Sequence, residues 1–431
     1  MTAPRALLIV TILLAAREAV AQQPLQLADL QQSAIATDPR SREFDLLARQ
    51  SDLRVRNITA TRLPTVSIEG QAQYQSDVPV APFRLPNGQP LFSPPKATYD
   101  SIFRVEQRLV DPARGAQTAL ERAQLSEQQA RVRTTLFTLR QRVNDAFFAA
   151  ALLQERAGAL QAIVDNLRSR LSEMNARVRE GTALASDSAT IEAAMLQREQ
   201  DREELNANRR AALALLSKLT SRQISEADTL ALPDLSALVT EARRAPEQLR
   251  VRPEHQQFAT SRDRVARQQA LASAQERPRV STFARLGYGR PGLNFINDEF
   301  DTYALGGVQL QWRAWTWGAA AREREALALQ QEVIAADQAA FAKGLTESIE
   351  PDAATIDRLQ NVVEMDRRII GLREQVEQSA QIRLQEGALT ASEYVDRSSE
   401  LLQAQLALAG HRVELAQSSA RLLTTLGLEV R

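Results

Sequence analysis

Few side chains in this 431-residue chain could do chemistry. It has no cysteine, which removes disulfides, thiolate metal sites, cysteine nucleophiles and a cysteine-linked lipid anchor. Its two histidines, His255 and His411, lie far apart in polar, helix-like contexts and read as ordinary surface residues. No Ser-His-Asp arrangement, metal-ligand spacing or phosphate-binding loop occurs, so neither an enzyme nor a cofactor or metal is expected. What stands out is a set of carboxylates in two nearly identical stretches, "RVREGTALASD" (Arg177–Asp187) and "RLQEGALTASE" (Arg383–Glu393), 206 positions apart. Gly181 answers to Gly387, Ser186 to Ser392 and Asp187 to Glu393, with Asp396 one helical turn beyond Glu393. Thr390 to Glu393 fits a capping box, a carboxylate reaching back to the start of its own helix.

A repeat with so long a period points to a duplicated half-protein rather than a solenoid of short units. Pro39 pairs with Pro253, Pro64 with Pro278, Val66 with Val280 and Tyr74 with Tyr288, all at an offset of 214. The offset shrinks where the proline-rich "SDVPVAPFRLPNGQPLFSPPKA" is answered by the shorter "RPGLNFINDEFD". The expected organisation is a first repeat over 22–235 and a second over 236–431.

The residues flanking those two loops alternate. Val66, Ile68, Gly70, Ala72 and Tyr74 share one parity, and Thr65, Ser67, Glu69, Gln71 and Gln73 the other. Tyr99, Phe103, Val105 and Leu109 alternate with Asp100, Arg104, Glu106 and Arg108. This period of two predicts strands over about 65–75, 98–110, 279–289 and 303–313, each with one apolar and one wet face. Residues 64–110 and 278–318 hold 13 of the 20 aromatics. Tyr74, Tyr99, Phe103, Tyr288, Tyr303, Trp312 and Trp315 are the candidates for an interfacial girdle of the kind that flanks the lipid band of transmembrane barrels. Four strands cannot close a barrel, whose lower limit is about eight. If they span a membrane, several chains must share one barrel.

The rest reads as helix. Asp111-Pro112 starts one, and from Val132 to Val178 apolar residues recur at spacings of 4 and 3 without a miss, a coiled-coil seam. Helices are expected over about 112–180, 186–220, 318–386 and 391–427. At about 1.5 Å per residue, 70 residues reach about 105 Å. Gly181 and Gly387 sit where a long helix ends, so the duplicated stretch is the turn at the tip of each helical hairpin. Gly344 and Pro351 interrupt the second long helix, where a proline is expected to cause a kink at a cost of about 3 kcal/mol.

The first 21 residues carry Arg5, the apolar run "ALLIVTILLAA" and the small-residue site Ala19-Val20-Ala21, which predicts a signal peptide cut after Ala21. No later segment is apolar enough for a transmembrane helix. The 53 basic and 53 acidic residues cancel, which argues against binding nucleic acid by phosphate neutralisation.

A signal peptide, paired strand hairpins, long helical hairpins and glycine-centred tip turns together resemble the TolC-type outer-membrane efflux proteins. "RLPTV" (Arg62–Val66), "RPE" (Arg252–Glu254), the tip turns and "LLTTLG" (Leu422–Gly427) carry the match over nearly the whole mature chain. The resemblance implies a mainly α protein with a transmembrane β-barrel portion: a homotrimer with a twelve-stranded barrel in the outer membrane lipid of a Gram-negative bacterium and a twelve-helix tunnel in the periplasm. It implies a passive exit duct for efflux or type I secretion, not an enzyme, opened by a periplasmic adaptor and an inner-membrane transporter. By position it places Gly181, Leu184, Ser186 and Asp187, and Gly387, Leu389, Thr390, Glu393 and Asp396, at the periplasmic aperture. Three copies of the acidic residues would make a carboxylate ring that favours cations. Leu389 departs from the pattern, because related sequences often have an arginine there that bonds in the closed state. The competing reading is a periplasmic adaptor with a long helical hairpin, which normally has one such hairpin and no paired aromatic-rich strands.

Overall fold

A computed structural model describes residues 23–78, 83, 86, 94–244, 252–294 and 298–430. The expected signal peptide and most of the first hairpin loop lie outside the described residues. The elements in order are α1 (Leu27–Thr37), α2 (Glu43–Ala60), β1 (Thr65–Tyr74), β2 (Ala97–Val110), α3 (Ala113–Arg179), α4 (Ala185–Thr220), α5 (Ser236–Arg244), α6 (Pro253–Gln275), β3 (Arg279–Arg290), β4 (Asp301–Gln311), α7 (Ala319–Gln385) and α8 (Ala391–Leu426). No helix among the described residues is long and apolar enough to cross a membrane.

The chain forms two compact units, and each takes residues from both halves of the sequence. One comprises Met1–Thr37, Leu139–Pro246 and Ile349–Arg431. Here the α3 seam does what its spacing dictates: Val143, Ala146, Ala150, Leu160, Val164, Leu167 and Met174 are buried, and Phe147 and Phe148, outside that spacing, are buried beside them. Along α7, Ile356, Leu359 and Val363, and further on Ala380 and Leu384, are buried at 3 and 4 spacings. Polar partners interrupt the α7–α8 seam. His411 Nδ1 lies 2.6 Å from Asp366 Oδ2 and Arg373 pairs with Glu400. His411 is therefore not an ordinary surface residue, because the α7–α8 hairpin packs it, half-buried, against a carboxylate. A second α7 stripe, Met365, Ile369, Leu372 and Val376, is exposed. Helix α1 is anchored by a buried polar chain: Gln31 Nε2 donates to Asn144 Oδ1 at 2.5 Å, and Asn144 Nδ2 donates to Thr424 Oγ1 at 3.1 Å. Leu25 adds a parallel bridge to Leu230.

The other unit comprises Asp38–Thr138 and Glu247–Ser348. Short helices precede each strand pair, α2 before β1 and α6 before β3. A 3₁₀ turn headed by Pro39 leads into α2, and Pro253 opens α6. The strands form one antiparallel sheet in the order β1–β2–β3–β4, so the two hairpins join through β2 and β3. Helix α6 is tied to α3 by Arg264, whose Nε lies 2.7 Å from Glu127 Oε2. His255 packs edge-on against Phe341, which also corrects the surface reading of that residue.

Helix α7 runs as one helix from Ala319 to Gln385 with Pro351 inside it. A proline removes one donor from the ladder. In a helix of 67 residues the turns on either side persist, and the Ser348 hydroxyl donates to the Leu345 carbonyl at 2.9 Å just before the proline.

The buried chain at Asn144 yields a test. Truncating Asn144 to alanine strands the Gln31 amide and costs about 1–3 kcal/mol, the usual penalty for a buried polar group left unpaired. A double-mutant cycle of Gln31→Ala and Asn144→Ala, read by denaturant unfolding, should give a coupling energy of the same order. Strictly additive losses would mean that α1 is held by packing alone.

Candidate functional site

The two tip turns are built alike. Gly181 and Gly387 adopt φ of +74° and +73°, a left-handed conformation in which a side chain is strained. At the first, Gly181 N donates to Val178 O and Thr182 N to Arg177 O. At the second, Gly387 N donates to Leu384 O and Ala388 N to Arg383 O. Both are Schellman closures, which satisfy the last carbonyls of α3 and α7.

The helices that follow start differently. Leu184 occupies the N-cap of α4 with no side-chain bond, is exposed, and leaves half-buried Asp187 in the first turn beside exposed Ser186. Thr390 caps α8 in a full capping box: Glu393 N donates to Thr390 Oγ1 at 3.3 Å, while Thr390 N and its hydroxyl donate to Glu393 Oε2 at 2.9 and 2.8 Å. The backbone N–H of Thr390, then its hydroxyl, hold the Glu393 carboxyl below the usual range, helped by the charges of Arg383 and Arg397. Glu393 is thus an ionised, exposed carboxylate fixed in place by its cap. Asp396, one turn on, is exposed.

Leu389 is half-buried and packs against the apolar cluster that includes Leu384, Ala391 and Tyr394. The guanidinium that ties the tips comes from elsewhere: Arg177 Nη1 donates to the Leu384 carbonyl at 2.8 Å, joining the end of α3 to the end of α7. The signal for Arg177 was present, since it is the first residue of the duplicated stretch. Beneath the tips, fully buried Tyr394 places its hydroxyl 2.7 Å from both Asn166 Oδ1 and Glu377 Oε1. Burial, then the Glu377 carboxylate, push this phenol well above its ordinary range.

The sheet is the second part of the site. Its register puts Val66, Ile68, Ala72 and Tyr74 of β1 level with Val105, Phe103, Tyr99 and Ala97 of β2. On the same face lie Ala284, Leu286 and Tyr288 of β3, then Ala304, Val308 and Leu310 of β4. The opposite face carries Ser67, Glu69, Gln71, Asp100, Arg104, Glu106, Arg285 and Gln309. In the central strands it is the apolar face that is exposed, with Phe103, Leu286 and Tyr288 at 43, 59 and 53 %, while Asp100, Arg104 and Arg285 on the polar face are half-buried. This sheet is inside out by the standard of a water-soluble one.

Exposed aromatics gather at both ends of the strands. Phe300 stacks on Tyr99 and Tyr288 at 6.2 and 5.4 Å near the hairpin loops. Beyond the end of β4, Trp315 meets Trp317 edge-on at 6.0 Å, with Trp312 close by in sequence. Trp317, the most exposed of the three, belongs with the girdle candidates. Tyr303 does not. Its parity puts it on the polar face, its ring lies over Gly287, and its hydroxyl donates to Asp100 Oδ2 at 2.6 Å. A strand of eleven residues rises about 35 Å, which at a tilt of about 35–45° spans about 25 Å, the height of the apolar band on membrane barrels.

No family model matches the chain, and no curated protein matches its sequence. Solved structures do match. The outer-membrane channel OprN is 17 % identical, with a TM-score of 0.65 over 93 % of this chain and 89 % of its own. The outer membrane protein VceC of Vibrio cholerae is 15 % identical, with a TM-score of 0.64 over 94 % of this chain and 97 % of its own. The open-state MtrE outer membrane channel of Neisseria gonorrhoeae is 16 % identical, with a TM-score of 0.65 over 94 % and 89 %. The chain has the TolC-type outer-membrane channel fold.

The tip geometry predicts opposite effects for two glycine-to-alanine changes. Gly387→Ala forces a side chain into a left-handed position and should destabilise by about 1–2 kcal/mol. Gly344→Ala, in the interior of α7 with open space around it, should stabilise by about 0.5–1 kcal/mol. Thermal unfolding followed by helical circular dichroism reads both, and shifts of the same sign would contradict the assignment of the turn.

Proposed function

We propose that this protein is an outer-membrane exit duct, a homotrimer that carries solutes out of the cell as part of a tripartite efflux or type I secretion system. The observation that carries this reading is the inverted sheet, with its apolar face turned to the surroundings and its charged face sheltered. Such a face is stable against lipid, and a charged face suits a water-filled lumen. The fold shared with outer-membrane channels supports the same reading.

Each chain contributes two repeats, 22–235 and 236–431, and three chains give twelve strands and twelve tunnel helices. The exposed α7 stripe of Met365, Ile369, Leu372 and Val376 provides a seam for the neighbouring copy. The duct has no chemistry of its own to perform. The driving force comes from an inner-membrane transporter, coupled through a periplasmic adaptor that engages the tips.

At those tips Asp187, Glu393 and Asp396, repeated three times, form an acidic aperture. Glu393 is committed to its cap through one carboxylate oxygen, yet it keeps its charge, so structural and electrostatic roles coexist in one side chain. Leu389 takes a packing role, and Arg177 supplies the polar tie between the tip turns.

The test is made on purified protein from the outer-membrane fraction. A trimer in detergent that forms discrete conductance steps in planar bilayers is expected; a soluble or inner-membrane monomer would point to an adaptor instead. The double variant Glu393→Gln, Asp396→Asn keeps the capping geometry and should lose cation preference and block by multivalent cations while remaining trimeric. An unchanged reversal potential in a salt gradient would confine those residues to structural roles.

A further inference from the structure

The polar face of the sheet is layered by charge. Strand register assigns its residues to rows that run across all four strands. The row Ser67–Arg104–Arg285–Leu305 carries two arginines and no acid. The row on its loop side, Glu69–Ile102–Gly287–Tyr303, carries one carboxylate, and the row on its helix side, Thr65–Glu106–Phe283–Gly307, carries another.

Arg104 and Arg285 are direct cross-strand partners. Like charges placed opposite one another are unfavourable in a sheet, so the pairing needs compensation. Arg104 has part of it, since its Nη1 donates to Glu69 Oε1 at 3.1 Å. Arg285 has no carboxylate partner among the described residues. Its guanidinium sits 5.1 Å over the ring of Phe283, which fixes its plane without neutralising it. The Nε atoms of both arginines are buried without an acceptor. Cross-strand pairing brings two half-buried guanidiniums onto one row, and their terminal N–H groups are the donor set that oxyanions take.

We propose that Arg104 and Arg285 form a binding ring for multivalent oxyanions, such as phosphate- or carboxylate-bearing solutes, inside the barrel. The inference rests on the three-fold barrel reading above, since three copies set six guanidiniums around one lumen. Arginine rings are a known means of favouring anions in pores. The ring would give the barrel a charge preference opposite to that of the acidic tip, so one conduit would hold two filters of opposite sign.

The probe is inorganic pyrophosphate, added to both sides of a planar bilayer holding the full-length protein. Wild-type channels are expected to be blocked in a concentration-dependent way. Arg104→Gln combined with Arg285→Gln should raise the half-blocking concentration at least tenfold. Ser67→Glu, which keeps both arginines and adds a carboxylate to the same row, should raise it in the same direction and guards against misassembly of the double variant. Wild-type channels that conduct but are not blocked, or variants blocked as strongly as wild type, overturn the ring and leave the duct standing. A wild-type protein that forms no channel overturns the duct reading, and the ring with it.

Discussion

A backbone N–H or C=O left unpaired in hydrocarbon costs several kcal/mol, and no water is present to take its place. In this sheet β1 and β4 are edge strands, each with a strand neighbour on one side only. The apolar face of the same strands is unfavourable in water. On the proposed reading, the chain presents lipid with an apolar face and two open edges that lipid does not tolerate. Pairing β1 of one copy with β4 of the next would meet both demands, and the proposed trimer follows from that closure. Because β2 of the first half pairs with β3 of the second, one chain delivers four strands in fixed register rather than two loose hairpins.

The helices answer a different demand. A helix of 67 residues cannot bury its whole length against one neighbour, so α3 and α7 carry narrow seams rather than a broad apolar face. Within α7 and α8 the seam is interrupted by Asp366 with His411, Arg373 with Glu400, and Glu377 with Tyr394. The buried pair, Glu377 with Tyr394, penalises sliding by a heptad most, because a shifted register would leave each partner buried alone. At the tips, where α7 turns into α8, the backbone is closed by hydrogen bonds and the carboxylates are left exposed. Stability and charge are thereby assigned to different atoms of the same few residues.

Much of this was legible from spacing. Strict alternation in Thr65–Tyr74 is a period that only a strand shares, and glycines at the same place in both copies marked the helix ends. The capping box at Thr390 and Glu393 was readable because it depends on four consecutive residues. Other features depended on contacts distant in sequence. Arg177 reaches Leu384 across 207 positions, and Tyr303 belongs to the polar face because of parity and a bond to Asp100, although its residue type suggested a lipid-facing role. The histidines misled for the same reason: His411 becomes a packed residue once α8 folds back on α7, and His255 of α6 meets Phe341 of α7. Helices α2 and α6 went unread: Pro39 and Pro253 were legible as a repeat pair, but Pro39 heads only the 3₁₀ turn before α2, while Pro253 opens α6.

The central claim is that the two faces of this sheet see different solvents. The chain has no native cysteine, so single cysteines report cleanly. Cysteine placed in turn at each position from Val66 to Tyr74, in protein reconstituted into liposomes, would be titrated with a water-soluble maleimide. The account predicts reaction at 67, 69, 71 and 73 and protection at 66, 68, 70 and 72, with the protected positions quenched by brominated lipid when they carry a fluorophore. Uniform reactivity along the strand, or the opposite parity, would contradict it.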